Sequence, residues 1–336
     1  MAKFRVGLVG CGRWGSNLLR NFGSCGDFEV VWVADSAATN FGLWREQYPA
    51  VKLLRSAEEA LDKYPVEVMV IATPLSTHYK LAKLALSHKC HIFIEKPLAS
   101  TGDEAQELVA EAEKLQRLLL VDFTYLFHPD IELLCQKVRE GFLGDKLLYY
   151  DSTRVNWGPA RCDASAIEDL AVHDLAILQC LTPLQPEAVS ASGIAHIPGQ
   201  PVDQAFVNLY YPGNFVAHIN VNWYAPTKVR RILVGGNRRS ADYNELNSPY
   251  RLQVHECALP EPNTVEAQDW RQSEKRVWVP ELSKAEPLRQ AVETFAAYLR
   301  RGELARENNA LSLRVSRILE VAAQSLQRGG CAVELK

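Results

Sequence analysis

The stretch Arg5–Asp35, RVGLVGCGRWGSNLLRNFGSCGDFEVVWVAD, restricts the fold of this chain more than any other. An apolar run, Val6–Val9, enters Gly10, Cys11, Gly12, Arg13, Trp14 and Gly15, and a second run, Glu29–Ala34, ends on Asp35, twenty residues after the last glycine. The pattern predicts a strand, a phosphate loop opening a helix over Ser16–Phe22, and a second strand. Gly10 turns the chain tightly, Gly12 lets the backbone approach a pyrophosphate, and Gly15 lets helix and strand pack closely. Unpaired amides at the start of the helix favour negative charge.

Asp35, at the carboxyl end of the second strand, can accept hydrogen bonds from both ribose hydroxyls of an adenosine. A 2′-phosphate there would meet its charge. Ser36, Ala37 and Ala38 follow without an Arg, so the stretch points to NAD rather than NADP. Glycines in an ordinary strand-to-helix turn would explain the spacing alone, but not the flanking strands and the acid at that distance.

Further on, Phe41–Tyr48 predicts a helix, Val51–Leu54 a short strand, and Ser56–Lys63 a helix with an N-cap serine and Glu58 and Glu59 in its first turn. Val66–Ala72, VEVMVIA, is a near-continuous apolar strand of the kind buried on both faces of a parallel sheet. His78–Ser87 and Gly102–Leu115 predict helices, and Cys90–Ile94 and Leu118–Phe123 strands. This alternation predicts a doubly wound sheet with ligands beyond the carboxyl ends of its strands. Gly10–Gly15, Asp35, Thr73, Pro74 and His78, and Glu95–Pro97 all fall on that edge.

From Tyr125 the pattern changes. Ile131–Gly141 and Ala164–Leu181 predict helices and Lys146–Asn156 a strand. Five strand-like runs then follow without intervening helices: Ala188–His196, Asp203–Tyr211, Phe215–Trp223, Val229–Gly235 and Arg251–Cys257. They predict an α+β domain whose largely antiparallel sheet leaves one face open for a partner. Apolar stripes through Leu288, Val292, Phe295 and Leu299, and through Leu311, Val315, Ile318, Ala322 and Leu326, predict two closing helices ending at Gly302 and Gly329. Pro260–Ser273 looks least structured. The expected division is residues 1–123 for dinucleotide binding and 124–336 for substrate and assembly.

Composition narrows the function classes. A length of 336 residues, 47% hydrophobic, suits two domains with proper cores. The net charge of −3, with both signs interspersed, points to neither nucleic acid nor an anionic membrane. The apolar runs are strand-sized, which predicts no transmembrane helix, and MAKFRVGLVG enters a strand at once, which predicts no signal peptide. The eight cysteines, at 11, 25, 90, 135, 162, 180, 257 and 331, form no CxxC pair or Cys/His cluster, so neither a disulfide framework nor a metal site is expected and a cytoplasmic location is the simplest expectation.

Lys96 follows a buried strand and precedes Pro97, which aims its ammonium at the ligand edge. There it can bind a sugar hydroxyl or, partly desolvated, exchange a proton. On position alone a surface ion pair with Glu95 stands level with that role. Asp169 and His173 are four apart on one helix face, where a carboxylate can orient an imidazole as proton acceptor. Alone, such a pair more often decorates a helix surface; next to a cofactor fold the site reading gains. His78 reads as structural and near the cofactor. Arg154, Asn156, Trp157, Arg161 and Asp163 suit either a substrate anion or a solvated loop. Tyr125, Phe127, Trp223 and Tyr224 suit stacking on a sugar or base, or a core.

Taken together, Gly10-Cys-Gly-Arg-Trp-Gly15, Ala72-Thr-Pro74 with His78, Glu95-Lys-Pro97, Tyr125 with His128-Pro129, and Asp169–His173 resemble the glucose-fructose oxidoreductase, inositol dehydrogenase and rhizopine catabolism (Gfo/Idh/MocA) family over Lys3 to about Leu326. The resemblance implies an N-terminal Rossmann domain, a C-terminal α+β domain whose open sheet makes a homodimer or homotetramer, and NAD(P)-linked chemistry at a sugar or polyol carbon. It makes Lys96, Asp169 and His173 the catalytic candidates. Gly10, Cys11, Gly12, Arg13, Trp14, Gly15, Asp35, Thr73, Pro74, His78, Glu95 and Lys96 become the cofactor-binding set, and Tyr125, Arg154, Asn156, Arg161 and Asp163 the substrate-binding candidates.

Arg154-Val-Asn-Trp-Gly158, Arg161-Cys-Asp163, Asp169–Asp174 and Glu286-Pro-Leu288 are similar to a nucleotide-sugar branch, implying oxidation or reduction at a ring carbon, often C3, of a UDP-linked sugar. Glu168 stands where that branch carries an apolar or aromatic residue, and the stretch 302–310 lacks its proline and Asp-Gly. The rival expectations are a dinucleotide-sensing regulator without chemistry and a reductase of a free polyol or non-sugar substrate.

Overall fold

Runs such as FRVGLV and VMVI carry no polar face to turn toward water, so both faces of the sheet they build must be covered. In the computed structural model, which describes residues 2–10, 12–38, 41–158, 161–257, 276–278, 280 and 285–335, these runs sit inside a parallel sheet. The first part of the chain runs β1 (Phe4–Val9), α1 (Arg13–Ser24), β2 (Phe28–Ala34), α2 (Phe41–Gln47), β3 (Lys52–Leu54), α3 (Ala57–Lys63), β4 (Val68–Ile71), α4 (His78–Ser87), β5 (His91–Glu95), α5 (Gly102–Lys114) and β6 (Leu119–Asp122). The sheet order is β3-β2-β1-β4-β5-β6, with every pairing parallel. This is the expected doubly wound α/β unit. Ser56 and Thr101 cap α3 and α5 by accepting from the amides of Glu59 and Glu104.

The second part runs α6 (Pro129–Arg139), β7 (Leu147–Trp157), α7 (Val172–Leu181), β8 (Ala188–Ile194), β9 (Gln204–Tyr211), β10 (Phe215–Asn222), β11 (Tyr224–Gly236), β12 (Arg239–Asn244), β13 (Leu252–Glu256), β14 (Arg276–Trp278), α8 (Pro287–Arg301), α9 (Arg306–Gln327) and β15 (Val333–Glu334). Among the described residues nine strands form the second sheet, in the order β14-β13-β12-β11-β7-β10-β9-β8-β15. Its pairings are antiparallel except β10 with β7. Strand β12 was not anticipated. RSADYN is mostly polar, yet Ala241 and Tyr243 alternate inward while its backbone is held between β11 and β13. The stretch 260–273 lies outside the described residues.

The chain divides into residues 1–127 with 285–316, and residues 128–284 with 317–336. This differs from the expected division at residue 123, because α8 belongs to the first unit. Phe295 packs edge-on against Phe93, at 5.4 Å between ring centroids, and lies 6.2 Å from Phe28 and 6.4 Å from Phe22. Leu288, Val292 and Leu299 complete that stripe in the same core. The helix ends at Gly302 with φ +65°, as its sequence predicts. Asn308 of α9 then ties to β6, accepting from the Val121 amide at 2.8 Å and donating to its carbonyl at 2.9 Å.

Candidate functional site

In the first unit the loop after β1 sits at the carboxyl edge of the parallel sheet. Gly10 has φ +100°, and a Cβ there would stand 2.3 Å from the Ala72 carbonyl oxygen. A Cβ on Gly15 would stand 2.0 Å from the Gly10 carbonyl oxygen, so α1 approaches β1 only without a side chain at that point. Gly12 is exposed, with nothing within 4 Å of where its Cβ would be. Open space over Gly12 beside the amino end of α1 is what a pyrophosphate needs. Arg13 and Trp14 are exposed there too, and Cys11 lies outside the described residues.

Asp35 leaves β2 with its Oδ1 accepting from the Ala37 and Ala38 amides, both at 2.9 Å. These bonds fix the carboxylate at the end of the strand. Asp35 also donates its amide to Leu54 of β3, so Arg55 arrives beside the same turn, its Nη1 3.5 Å from the Ser36 carbonyl oxygen. No Arg directly follows Asp35 in the sequence, yet the end of the neighbouring strand supplies one. The features of this loop fit a bound dinucleotide on their own geometry.

Between β4 and α4, Thr73 and Pro74 turn the chain, and His78 is buried at 1% exposure. Its Nδ1 lies 2.8 Å from the Pro97 carbonyl oxygen and its Nε2 3.0 Å from that of Thr73. His78 therefore straps the turn after β4 to the turn after β5, where Lys96 sits in a cis peptide with Pro97. His78→Gln is expected to lower the stability of this unit by about 1–3 kcal/mol, the cost of leaving a buried carbonyl without its donor. A urea midpoint equal to wild type would show that the strap carries no load.

Glu95, at the end of β5, is half-buried and feels the charge of Lys96 beside it. Its Oε1 is buried and the side chain meets Asp122, its register partner on β6. Asp122 had been expected only as part of a strand, since nothing in LLVD separates a ligand-edge acid from a strand end. Tyr125 lies in the turn Thr124–Phe127 just beyond, half-buried.

In the second unit the predicted helix 164–181 begins with a wide π turn, Ile167–Ala171, before α7. Such turns recur at functional sites because they push side chains off the regular helical face. Ser165 and Glu168 start it with a capping box: the Ser165 amide donates to Glu168 Oε2 at 2.7 Å and the Glu168 amide to Ser165 Oγ at 3.4 Å. Glu168, which departs from the resembled branch, thus has a structural task. Asp169 accepts from Arg161 Nη1 at 3.2 Å on Oδ1 and from the Trp223 indole at 3.1 Å on Oδ2. Arg161 also forks onto Asp163, at 3.1 and 2.8 Å, and these carboxylates hold it firmly cationic. Arg161, Asp163 and Asp169 are thus brought together, a grouping the spacing did not foretell, and Trp223, weighed earlier for stacking or core, is a buried donor to Asp169. His173 occupies the first turn of α7, half-buried.

Arg154 is a correction. Strand alternation puts it on the inward face of β7 with Tyr150 and Ser152, at 2% exposure. Its Nε and Nη2 donate to Asp174 at 2.7 and 3.0 Å, so that carboxylate, and not a substrate anion, takes its planar edge. Asn156 is likewise engaged, its Oδ1 accepting from Arg230. Among the described residues no three His, Cys, Asp or Glu side chains are grouped to hold a metal ion, and no helix is long and apolar enough to cross a membrane.

Two family models match the chain. The NAD-binding Rossmann-fold domain of the GFO/IDH/MocA oxidoreductases covers residues 4–123, and the GFO/IDH/MocA C-terminal domain covers 132–242. Among curated proteins, the UDP-N-acetylglucosamine 3-dehydrogenase of Acidithiobacillus ferrooxidans is 27% identical over 255 residues, 75% of this chain and 77% of that protein. The D-glucoside 3-dehydrogenase of Escherichia coli is 29% identical over 142 residues, and the match spans 42% of this chain and only 40% of that protein. A solved structure of the Acidithiobacillus ferrooxidans enzyme aligns with a TM-score of 0.81 at 21% identity, covering 98% of this chain and 99% of that one, a likeness of fold.

Proposed function

The chain belongs to the GFO/IDH/MocA oxidoreductase family, and from that membership we propose that it moves a hydride between NAD and a ring carbon, C3 in our reading, of a nucleotide-linked sugar. The observation that carries the proposal is the placement of Lys96 on the ligand edge of an NAD-binding sheet, strapped by His78, in a chain similar to two sugar 3-dehydrogenases. Bound NAD supplies the hydride acceptor, or in the reverse direction the donor.

The residues divide the remaining work. His173 takes the proton of the reacting hydroxyl, and Lys96 binds the same oxygen through its ammonium. Asp169, four residues before His173 and steadied by Arg161 and Trp223, orients the imidazole. Arg161, held between Asp163 and Asp169, fixes the position of the Asp169 carboxylate. Asp35 binds the adenosine ribose. Asp35→Ser is expected to weaken NAD binding by about tenfold or more, the worth of one or two hydrogen bonds to a charged acceptor. Arg55 beside that turn should make NADP the relatively better ligand of the variant, which isothermal titration with both dinucleotides checks.

The open face of the second sheet carries Tyr149, Phe206, Tyr210 and Val216 exposed, and this apolar patch supports assembly of copies through the sheet. Light scattering reads the resulting mass. The test of function is the appearance of reduced-nicotinamide absorbance when the protein and NAD meet a panel of UDP-sugars, uronic acids and free polyols, with Lys96→Ala as control. A signal with UDP-sugars that the variant lacks supports the proposal. NAD binding without turnover of any sugar, in either direction, would replace it with a sensing role.

A further inference from the structure

Glu95 and Asp122 stand opposite each other where β5 and β6 end at the ligand edge. Asp122 is fully buried, and Glu95 is partly covered with its Oε1 inside. No donor from another described residue reaches Glu95 Oε1 or Asp122 Oδ2, yet the two carboxyl groups lie within hydrogen-bonding reach of each other and of the Trp14 indole. Two carboxylates in contact, one fully buried and the other with one oxygen inside, cannot both keep their charge cheaply, because like charges repel and little water reaches the oxygens between them. A single proton resolves both orphaned oxygens at once: a protonated carboxyl donates and the carboxylate accepts.

The surroundings indicate which group holds the proton. The Thr124 hydroxyl donates to Asp122 Oδ1 at 3.0 Å and so favours a charged Asp122. Burial, and then the charge of Asp122, hold the Glu95 carboxyl well above the usual carboxylate range. Burial raises Asp122 as well, but only to about 6, because Thr124, Glu95 and Trp14 all donate to it. The charged group facing the pair is Lys96, from the turn after β5. From α9, Asn308 approaches β6 through the Val121 backbone and brings no charge. On the far side of Lys96, His78 is engaged with backbone carbonyls.

We propose that Glu95 and Asp122 hold one proton between them at neutral pH, and that the pair is a positioning device for the cofactor edge. It anchors Trp14, a residue of the phosphate loop, and keeps one negative charge rather than two beside Lys96. A second charge would compete for the Lys96 ammonium and would stand close to a loop that must accept a pyrophosphate. The inference rests on the dinucleotide reading of the loop and not on which sugar is the substrate.

The test uses the whole chain without cofactor and reads no turnover, so a failure of the sugar assignment leaves it unaffected. Infrared difference spectra at pH 7 between wild type and Glu95→Gln should show a protonated-carboxyl stretch present in the wild type and lost in the variant. Thermal unfolding across pH 5 to 9 gives the second readout. Both folded-state carboxyls titrate above their unfolded values, so the stability the pair contributes is complete below the unfolded range and is lost as pH rises, through about 6 for Asp122 and higher for Glu95. Glu95→Gln, with its permanent amide donor, should lose the part of that slope above about 6 that belongs to Glu95, and its melting temperature should gain on wild type as pH climbs there. Trp14→Phe, which removes a donor that favours the ionised forms, should extend the loss to higher pH. No such stretch in the wild type, or an unchanged slope in Glu95→Gln, would overturn the proposal. Should Glu95→Gln not fold, Asp122→Asn serves: the stretch should persist but move as its acceptor changes from carboxylate to amide, and an unmoved stretch excludes the shared proton.

Discussion

Replacing Lys96 by Met is expected to lower turnover by about 10²–10⁴-fold, the range that positioned proton-transfer groups contribute. Met keeps much of the apolar stem and removes only the ammonium, so the turn that His78 straps should keep its shape. NAD affinity is accordingly expected to fall by less than about tenfold, because the proposed assignment gives the pyrophosphate to backbone amides of the glycine loop and the ribose to Asp35. Steady-state rates at saturating sugar, set beside calorimetric NAD binding, separate the two effects. Equal losses in both would make Lys96 a cofactor-binding residue, and full turnover would remove it from the chemistry. Loss of turnover with NAD binding retained is the pattern of a group acting on the substrate oxygen.

Asp174→Ala is expected to cost about 3–5 kcal/mol of stability, because it strands the Arg154 guanidinium in the core of the second unit. Arg154 is 2% and Asp174 1% exposed, and two hydrogen bonds at 2.7 and 3.0 Å join them. The Tyr150 hydroxyl also donates to the Asp174 carbonyl at 3.3 Å, so β7 is pinned to α7 at the residue after His173. At roughly 2–4 °C per kcal/mol for a chain of this size, the melting temperature should fall by about 10 °C. The double replacement Arg154→Met with Asp174→Leu should recover most of it, since two apolar side chains of similar volume leave no charge to solvate. A single variant that melts with wild type would mean that water reaches the guanidinium. A double variant that stays as unstable as the single would place the cost in packing instead of charge.

The difference between what could and could not be read beforehand follows from range. The Gly10–Gly15 loop, the strand ending at Asp35, the Ser56 cap and the αL end at Gly302 are local events, each written within a few residues by steric freedom, hydrogen-bonding capacity or apolar spacing. Arg154 was misassigned to a substrate because residue type alone cannot say which carboxylate an arginine meets. Strand parity at 150, 152 and 154 would have shown it facing inward, but parity alone does not name Asp174 as its partner. Strand β12 was missed because polar residues on an open sheet face are indistinguishable from a turn until neighbours claim the backbone. Glu168 read as an unexplained departure until Ser165 appeared opposite it.

The sequence by itself determined the plan of the first unit and the antiparallel character of the second, because periodicity and turn chemistry act over a few residues, while Lys96, Asp169 and His173 became the catalytic candidates through the family resemblance of their motifs. Only the tertiary structure decided the partnerships: Glu95 with Asp122, Arg154 with Asp174, Asp169 with Arg161 and Trp223, Arg55 beside Ser36, and α8 against the first sheet. The apolar pattern tells which side chains leave water, whereas strand order and register choose what they meet. Charge, proton sharing and hydrogen bonding depend on that second choice.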